Sequence, residues 1–253
     1  MEYYVYEEPE KKATKIVKDN GVRFSMGKVL LWLSLGLVLT GVVALSMPDF
    51  LLLCCGNNAS ALSTSYTVSL SIAVVVMVFS SLLMWIPSFK KDSPWTIVSY
   101  VLFTIAMGVV LSTSFLWVLG IDDKDAIASI SISFFITAAC YLILGVIGTV
   151  SKKNFNVITP VIFALFWGVL ILSLISFFLP LEPIYIITDV ISFAVILLVT
   201  AVDFNNVKRL ASCYPFHNST SLAIYCAYNL YLDFIYIFVR VLFYTVFFRN
   251  RNR

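Results

Sequence analysis

Charged side chains are scarce in this chain, and histidine is nearly absent. Only 12% of the 253 residues are Asp, Glu, Lys or Arg, there is one histidine, and no acidic residue occurs between Asp49 and Asp92. With 60% hydrophobic residues and a mean hydropathy of +0.96, a water-soluble core and shell is excluded. No basic patch interleaved with aromatics suggests a nucleic-acid partner. The sequence therefore predicts an integral membrane protein whose surroundings are the lipid bilayer.

The spacing of cysteine and histidine favours neither a metal site nor an enzyme. The five cysteines form no disulfide framework, and the lone His217 has no second ligand or HExxH helix around it. Intramembrane aspartyl proteases normally need Gly-x-Gly-Asp, whereas Tyr231 and Leu232 precede Asp233 here. We therefore expect no enzymatic activity and no cofactor.

Seven apolar stretches are separated by short polar breaks. Each has about the 20 residues that a helix needs to cross the hydrocarbon layer. The stretches cover residues 29–47, 66–86, 95–119, 126–150, 157–179, 184–202 and a last segment that ends at 248, and Pro48 is placed in the first break. This pattern predicts an all-α integral membrane protein, a seven-transmembrane-helix bundle, with a polar tail over residues 1–27 and one membrane domain over residues 28–253.

Basic residues predict the orientation. Six of them lie within residues 1–28, and later breaks on the same side carry Lys90-Lys91, Lys152-Lys153 and Lys208-Arg209. The positive-inside rule then makes the amino terminus cytoplasmic. Seven crossings put the three arginines at positions 249, 251 and 253 outside, against the rule, so the last segment either crosses fully, which we favour, or re-enters. A short tail without a secretion signal fits a bacterial plasma membrane, with a eukaryotic internal membrane as the alternative.

Asp203 and Asp233 are the most informative residues, because a carboxylate inside a membrane helix costs about 2.5–3.5 kcal/mol. Residues 184–202 alone span about 28 Å, which leaves Asp203 at the cytoplasmic end of its helix. The last crossing is expected to begin near Asn229, with Asp233 about one turn in, on the same helix face as Asn229. Both carboxyls then lie at similar depth.

Neighbouring carboxylates in a poorly hydrated site cannot both ionise cheaply, so we expect the pair to share a proton. When pH rises and the proton leaves, repulsion would separate the helices, and two bare carboxylates would offer oxygen ligands suited to transient Ca²⁺ binding. The alternative is a packing hydrogen bond with no role in transport. Asp189 and Arg240, the other intramembrane charges, either form an ion pair or reach the outer interface separately.

Two motifs around the aspartates resemble those of a known family. Residues 227–235, AYNLYLDFI, with Phe238 and Arg240 beyond, resemble the final-helix signature of the Bax inhibitor-1 family, and residues 200–208, TAVDFNNVK, are similar to its sixth-helix motif. Looser likenesses occur at residues 28–40, 103–108, 136–139 and 148–154. Val202, Asn205 and Tyr236 depart from the usual residues, and the acid that some members carry in the second helix is missing.

The resemblance implies a seven-helix bundle in which the two aspartates sense pH and gate a slow calcium leak. It also implies roles in calcium homeostasis, in stress survival and, in some bacteria, in restraint of a membrane protease. The expected function is a pH-sensitive calcium (cation) leak channel, and the alternative is a non-transporting regulator that binds a membrane-protein partner. Candidate supporting residues around the aspartates are Asn229, Asn205, Asn206, Arg240 and Asp189.

Overall fold

The part of the chain that the structure describes contains seven α-helices, one short 3-10 turn and no strand. The structure, a computed structural model, describes residues 26–55, 59–85, 94–121, 126–151, 155–178, 182–212 and 220–251. The helices are α1 (Met26–Cys55), α2 (Ala59–Trp85), α3 (Pro94–Ile121), α4 (Ala126–Val150), α5 (Thr159–Phe178), α6 (Glu182–Ser212) and α7 (Thr220–Arg251), with the turn at Phe155–Val157. The predicted polar tail, residues 1–27, lies outside this description except for its last two residues.

Six of the seven helices, all but α5, are long and apolar enough to cross a membrane. The apolar part of α5, Thr159–Ile175, is shorter. Large apolar side chains such as Leu53, Ile127 and Phe135 are more than two-thirds exposed, as expected where hydrocarbon rather than water covers the surface. The chain is a multi-pass membrane protein.

Contacts between helix ends show how the chain folds back on itself. The Lys208 ammonium donates to the Ser151 carbonyl at 3.1 Å, so α4 and α6 finish at one end of the bundle, here called the Lys208 end. Arg249, close to the end of α7, donates to the Ser129 hydroxyl at 3.0 Å, close to the start of α4. This opposite end is called the Arg249 end. Helices α4 and α6 are therefore parallel, and α7 runs against both.

Helix α7 is the centre of the bundle. It contacts α1, α3, α4 and α6 and is the most buried of the six long apolar helices. Its apolar residues lie on every face, which is typical of a helix surrounded by protein. Thr40 of α1 donates its one hydroxyl proton to the Thr104 carbonyl of α3 at 3.0 Å. The Tyr231 hydroxyl of α7 is therefore the donor in its 2.6 Å hydrogen bond with the Thr40 hydroxyl. One hydroxyl pair therefore joins three helices.

Two glycines let the backbones of neighbouring helices approach closely. A side chain on Gly148 of α4 would place its Cβ 2.6 Å from the Ala201 carbonyl oxygen of α6. A side chain on Gly108 of α3 would place its Cβ 2.9 Å from the Thr40 carbonyl oxygen of α1. Small residues let membrane helices pack closely, so Gly148 fixes the position of α6 against α4.

Several helix boundaries differ from the sequence prediction. Pro48 lies inside α1, which continues to Cys55, so its placement in a break was wrong. Membrane helices tolerate proline, because neighbouring helices, hydroxyl side chains or a local change of helix geometry satisfy the backbone groups that it frees. Helix α6 continues past Asp203 to Ser212, and α7 begins at Thr220, so that roughly four helical turns precede Asp233. The early turns of α7 are only partly apolar, yet they are helical because protein rather than lipid buries them.

Candidate functional site

The structure brings Asp203 of α6 and Asp233 of α7 together inside the bundle. Their carboxyl groups are close enough to interact electrostatically. The Thr200 hydroxyl, one turn before Asp203, lies near the Asp233 carboxyl and donates to the Ile196 carbonyl at 2.8 Å. Asp233 is only 5% exposed, and its Oδ2 atom has no hydrogen-bond partner among the described residues. Within the same part of the chain, neither carboxyl is ion-paired with a basic side chain. Two acids without a countercharge therefore meet at the α6–α7 interface.

An aromatic cluster covers one side of this acid pair. Phe204 and Phe234 directly follow the two aspartates, and both pack edge-on against Tyr141 of α4, with ring centroids 4.9 Å and 5.3 Å away. The Tyr141 hydroxyl donates to the Leu230 carbonyl at 2.8 Å. These rings exclude water from that side, so the carboxyls lie next to a region of low polarity.

An open cleft of about 920 Å³ lies on the other side of Asp203. It is bounded by the start of α5, the last turns of α6 and the first turns of α7. Its lining residues are Thr159, Pro160, Phe163, Asp203, Asn206, Val207, Arg209, Leu210, Tyr225, Cys226 and Asn229. Asp203 is therefore accessible from the cleft, whereas the buried Asp233 is not one of its lining residues.

The predicted supporting asparagines have different positions. Asn206 and Asn229 line the cleft beside Asp203. Asn205 is buried and points elsewhere: its Nδ2 donates to the Gly148 carbonyl at 3.0 Å, and its Oδ1 accepts from the Phe155 amide at 3.4 Å. Asn205 thus joins α6 to α4 and to the turn before α5.

Asp189 and Arg240 form an ion pair with each other. Of the two predicted alternatives, the structure therefore confirms the ion pair, not separate contacts of each residue with the outer membrane interface. The Tyr244 hydroxyl also donates to Asp189. Arg240 donates to the Tyr236 hydroxyl at 3.2 Å and lies over its ring. This cluster is about 21 Å along α6 from Asp203, towards the Arg249 end, so the structure does not bring these two residues to the acid pair.

The described residues contain no group of three or more His, Cys, Asp or Glu side chains that could hold a metal ion. Asp203, one of the two predicted calcium ligands, lies beside the Asn206 and Asn229 amides in the cleft. Such oxygen ligands suit a hard, weakly held divalent cation.

Sequence reasoning located the two acids but missed Tyr141 and Thr200. Thr200 falls within the sixth-helix motif, one turn before Asp203, and this spacing indicates that the two side chains share a helix face. Tyr141 is an ordinary aromatic residue in an apolar segment, and nothing in its local sequence indicates a contact with α6 and α7. The cleft was missed because three separate helices form it.

Comparison with known proteins places the chain in a family. The family profile described as "Inhibitor of apoptosis-promoting Bax1" matches residues 22–252. Inner membrane protein YbhL of Escherichia coli strain K12 is 25% identical over 232 residues, which cover 88% of this chain and 91% of YbhL. An uncharacterized membrane protein of Streptococcus pyogenes serotype M6 is 26% identical over 161 residues, covering 64% of this chain and 66% of that protein. Because the profile spans nearly the whole sequence, the chain belongs to the Bax inhibitor-1 family of membrane proteins.

Proposed function

We propose that this protein is a pH-sensitive leak channel for calcium or similar cations, gated by Asp203 and Asp233. The observation that carries the proposal is the meeting of two carboxyls from neighbouring helices, without an ion-pair partner among the described residues. A structural hydrogen bond alone would not require two acids, since one acid and one amide would suffice. With two acids, the free energy that holds α6 against α7 depends on how many protons the pair carries.

The direction of the pH response follows from charge. At acidic pH the pair holds a proton, the net charge at the interface is small, and α6 stays against α7. At higher pH both carboxyls ionise and repel each other in a site that Tyr141, Phe204 and Phe234 shield from water. We therefore expect the closed state at low pH and a leak that rises with pH.

The cleft supplies a route for the ion. It opens near the Lys208 end and leads to the Asp203 carboxyl, with the Asn206 and Asn229 amides along its wall. An incoming cation would exchange water for carboxylate and amide oxygens. Arg209, at the same cleft, places a positive charge near its opening and would oppose rapid cation flow, which suits a slow leak.

A seven-crossing bundle in a bacterial plasma membrane, with a cytoplasmic amino terminus, is part of the proposal. Helix α5 has 20 residues and covers about 30 Å, enough to cross the hydrocarbon layer. It starts close to the Lys208 end, and α6 then begins at the Arg249 end, which supports a crossing by α5. The positive-inside rule makes the Lys208 end cytoplasmic.

Calcium flux through the purified protein tests the gate. We expect wild-type protein in liposomes to leak little Ca²⁺ near pH 5 and progressively more towards pH 8. Asp203→Asn and Asp233→Asn should each abolish this rise, because one remaining carboxyl has no ionised partner to repel. A lost repulsion of about 1.4 kcal/mol alters the ratio of open to closed states about tenfold.

The matched control is Asp49→Asn, which neutralises an exposed acid on α1 outside the α6–α7 interface. This variant should keep the wild-type pH profile. A pH profile that stays unchanged in both Asp203→Asn and Asp233→Asn would contradict the proposed gate. A wild-type protein that leaks at no pH would contradict the proposed channel.

A regulator of another membrane protein is the second candidate. The observation that favours it is the position of α5, which packs on α6 and the turn at Phe155–Val157 and leaves Phe163, Trp167 and Phe178 more than half exposed. Exposed aromatics are common at protein interfaces. A regulator would be silent in the flux assay in lipid alone and active when membrane extract is added.

A further inference from the structure

Three hydroxyl side chains form a row along the buried face of α4, here called the hydroxyl row. Ser129, Ser133 and Thr137 follow each other at intervals of four residues, so they share one face of the helix. All three are fully buried. Small residues let membrane helices pack closely, but alanine would do so as well, and a buried hydroxyl group adds a polar atom that needs a partner. The oxygens of the row therefore need an explanation beyond packing.

Two hydroxyl protons of the row are already used within α4. Ser133 donates to the Ser129 carbonyl at 2.7 Å, and Thr137 donates to the Ser133 carbonyl at 2.8 Å. A hydroxyl group has one proton and two lone pairs, so these two oxygens act only as acceptors towards other groups. Tyr141 and Gly148 continue the same face of α4 and contact α7 and α6. The row therefore presents acceptors where these three helices meet.

The acid pair lies at one end of the hydroxyl row. The Tyr141 hydroxyl, which donates to the Leu230 carbonyl of α7, is close enough to the Asp233 carboxyl to interact with it electrostatically. From this contact towards the Arg249 end, Thr137 lies about 6 Å along α4 and Asp233 about 4.5 Å along α7, so the two are at a similar height. The buried Oδ2 atom of Asp233 has no hydrogen-bond partner in the described part of the chain. Because an ionised Asp233 and Thr137 are both acceptors, only a cation or a donor such as water can bridge them.

A positive charge of the protein lies at the other end of the row. The guanidinium of Arg249 donates to the Ser129 hydroxyl at 3.0 Å. Arg249 is half-buried, whereas Ser129 is fully buried. Since Ser129 and Thr137 are eight residues apart, the row covers about 12 Å between the guanidinium and the height of the acid pair. A line of oxygen acceptors that already binds one cation at its end offers the kind of ligand that hard cations use.

We propose that the hydroxyl row is the route of the cation between the acid pair and the Arg249 end, and that Arg249 closes this route as a tethered cation. The inference rests on the proposed function and adds the second half of the path, because the cleft leads from the Lys208 end to Asp203. In the closed state the row is buried and conducts nothing. When α6 moves away from α7, a cation exchanges the carboxylates for the Thr137 and Ser133 oxygens and leaves once the guanidinium moves aside. Several weak oxygen sites in sequence let an ion both enter and leave.

Variants that remove an oxygen but keep the shape of the side chain test the route. Thr137→Val replaces the hydroxyl with a methyl group of similar size, and Ser133→Ala removes the second oxygen. Thr67→Val and Ser71→Ala are the matched controls, because these α2 residues also donate to the carbonyl four residues earlier but lie on the exposed surface. Ca²⁺ flux into liposomes that contain the full chain is measured from pH 5 to pH 8, and the thermal unfolding midpoint of each protein is measured in detergent.

We expect Thr137→Val and Ser133→Ala each to lower the flux at pH 8 about tenfold, as for one lost contact with a charged group. The pH at which the flux is half-maximal should not change, because the acid pair is intact, and the unfolding midpoint should stay close to that of wild type. Thr137→Ser, which keeps the oxygen, should leak more than Thr137→Val. Arg249→Gln should raise the flux about fivefold, because a positive charge no longer opposes the ion at the end of the row.

The outcomes separate the route from the gate. A wild-type flux that rises with pH and is unchanged in both row variants would overturn the route and leave the gate intact, and so would an equal loss of flux in the two controls. If Thr137→Val fails to fold, Ser133→Ala decides alone. An unchanged flux in Arg249→Gln would overturn the role of the arginine. A wild type that leaks at no pH would overturn the proposed function and the route together.

Discussion

Gly148 determines at the residue scale where Asp203 lies. Its missing side chain lets α4 approach the Ala201 carbonyl and the Phe204 Cβ of α6, each 2.6 Å from where a Cβ would be. Phe204 is next to Asp203 and packs on Tyr141. The packing of α4 on Ala201 and Phe204 thus positions the turn of α6 that carries Asp203.

Replacing Gly148 with alanine should destabilise the protein. The added methyl group would overlap backbone atoms of α6, and overpacking of this kind typically costs about 1–3 kcal/mol. Gly168→Ala is the control, because its Cβ would meet no atom within 4 Å. We expect a lower thermal unfolding midpoint for Gly148→Ala in detergent and an unchanged or slightly higher midpoint for the control. Equal midpoints would show that α4 and α6 separate without cost.

The residues that sequence reasoning identified are those whose chemistry is rare in a membrane. Asp203, Asp233, Asp189 and Arg240 were noticed because a charge within an apolar segment needs a reason, whatever the fold. Tyr141 was missed, because its role depends on a contact with helices far away in the sequence. A charged residue in an apolar segment can be recognised from the local sequence, whereas the side chains that pack against it cannot.

Helices α6 and α7 are joined at the scale of elements by two contacts of opposite character. The acid pair is repulsive once both groups ionise. The cluster of Asp189, Arg240 and Tyr244 is attractive and lies towards the Arg249 end of the same interface. Because the two contacts are about 21 Å apart along α6, the attractive cluster holds one part of the interface independently of the acid pair.

Exchange of the two charges tests the attractive contact. Asp189→Asn and Arg240→Gln should each lower stability by about 0.5–2 kcal/mol, the usual range for polar contacts between membrane helices. The double variant Asp189→Arg with Arg240→Asp should recover much of that loss, since the pair is restored with its signs reversed. Unfolding followed in increasing denaturant is the measurement. A double variant less stable than both single variants would show that the ion pair does not hold α6 to α7.

Helix boundaries were less predictable than helix number. Apolar runs longer than about 18 residues indicate a helix wherever they occur, so all seven helices were expected. The start of α7 at Thr220 was not expected, because hydropathy measures suitability for lipid and this part of α7 is buried in protein. Pro48 was misplaced for a related reason, since a break that is typical of soluble helices is tolerated in a membrane.

The alternation of helix direction is a property of the whole molecule. Contacts of Lys208 with Ser151 and of Arg249 with Ser129 place the ends of α4, α6 and α7 relative to each other. These two contacts mean that α7 ends opposite to the point where α4 ends. Sequence reasoning left a re-entrant last segment open, because the arginines at the end of α7 oppose the positive-inside rule.

Labelling of the two chain termini decides whether the bundle is oriented as proposed. In a background without native cysteines, one cysteine is placed before Met1 and, in a second protein, one after Arg253. With seven crossings and a cytoplasmic Lys208 end, a membrane-impermeant thiol reagent added to intact cells should label the second cysteine but not the first. A cysteine at Lys152 serves as the internal control and should stay unlabelled until the cells are opened. If both termini are protected, the arginines at the end of α7 obey the positive-inside rule, and the proposed number of crossings is wrong.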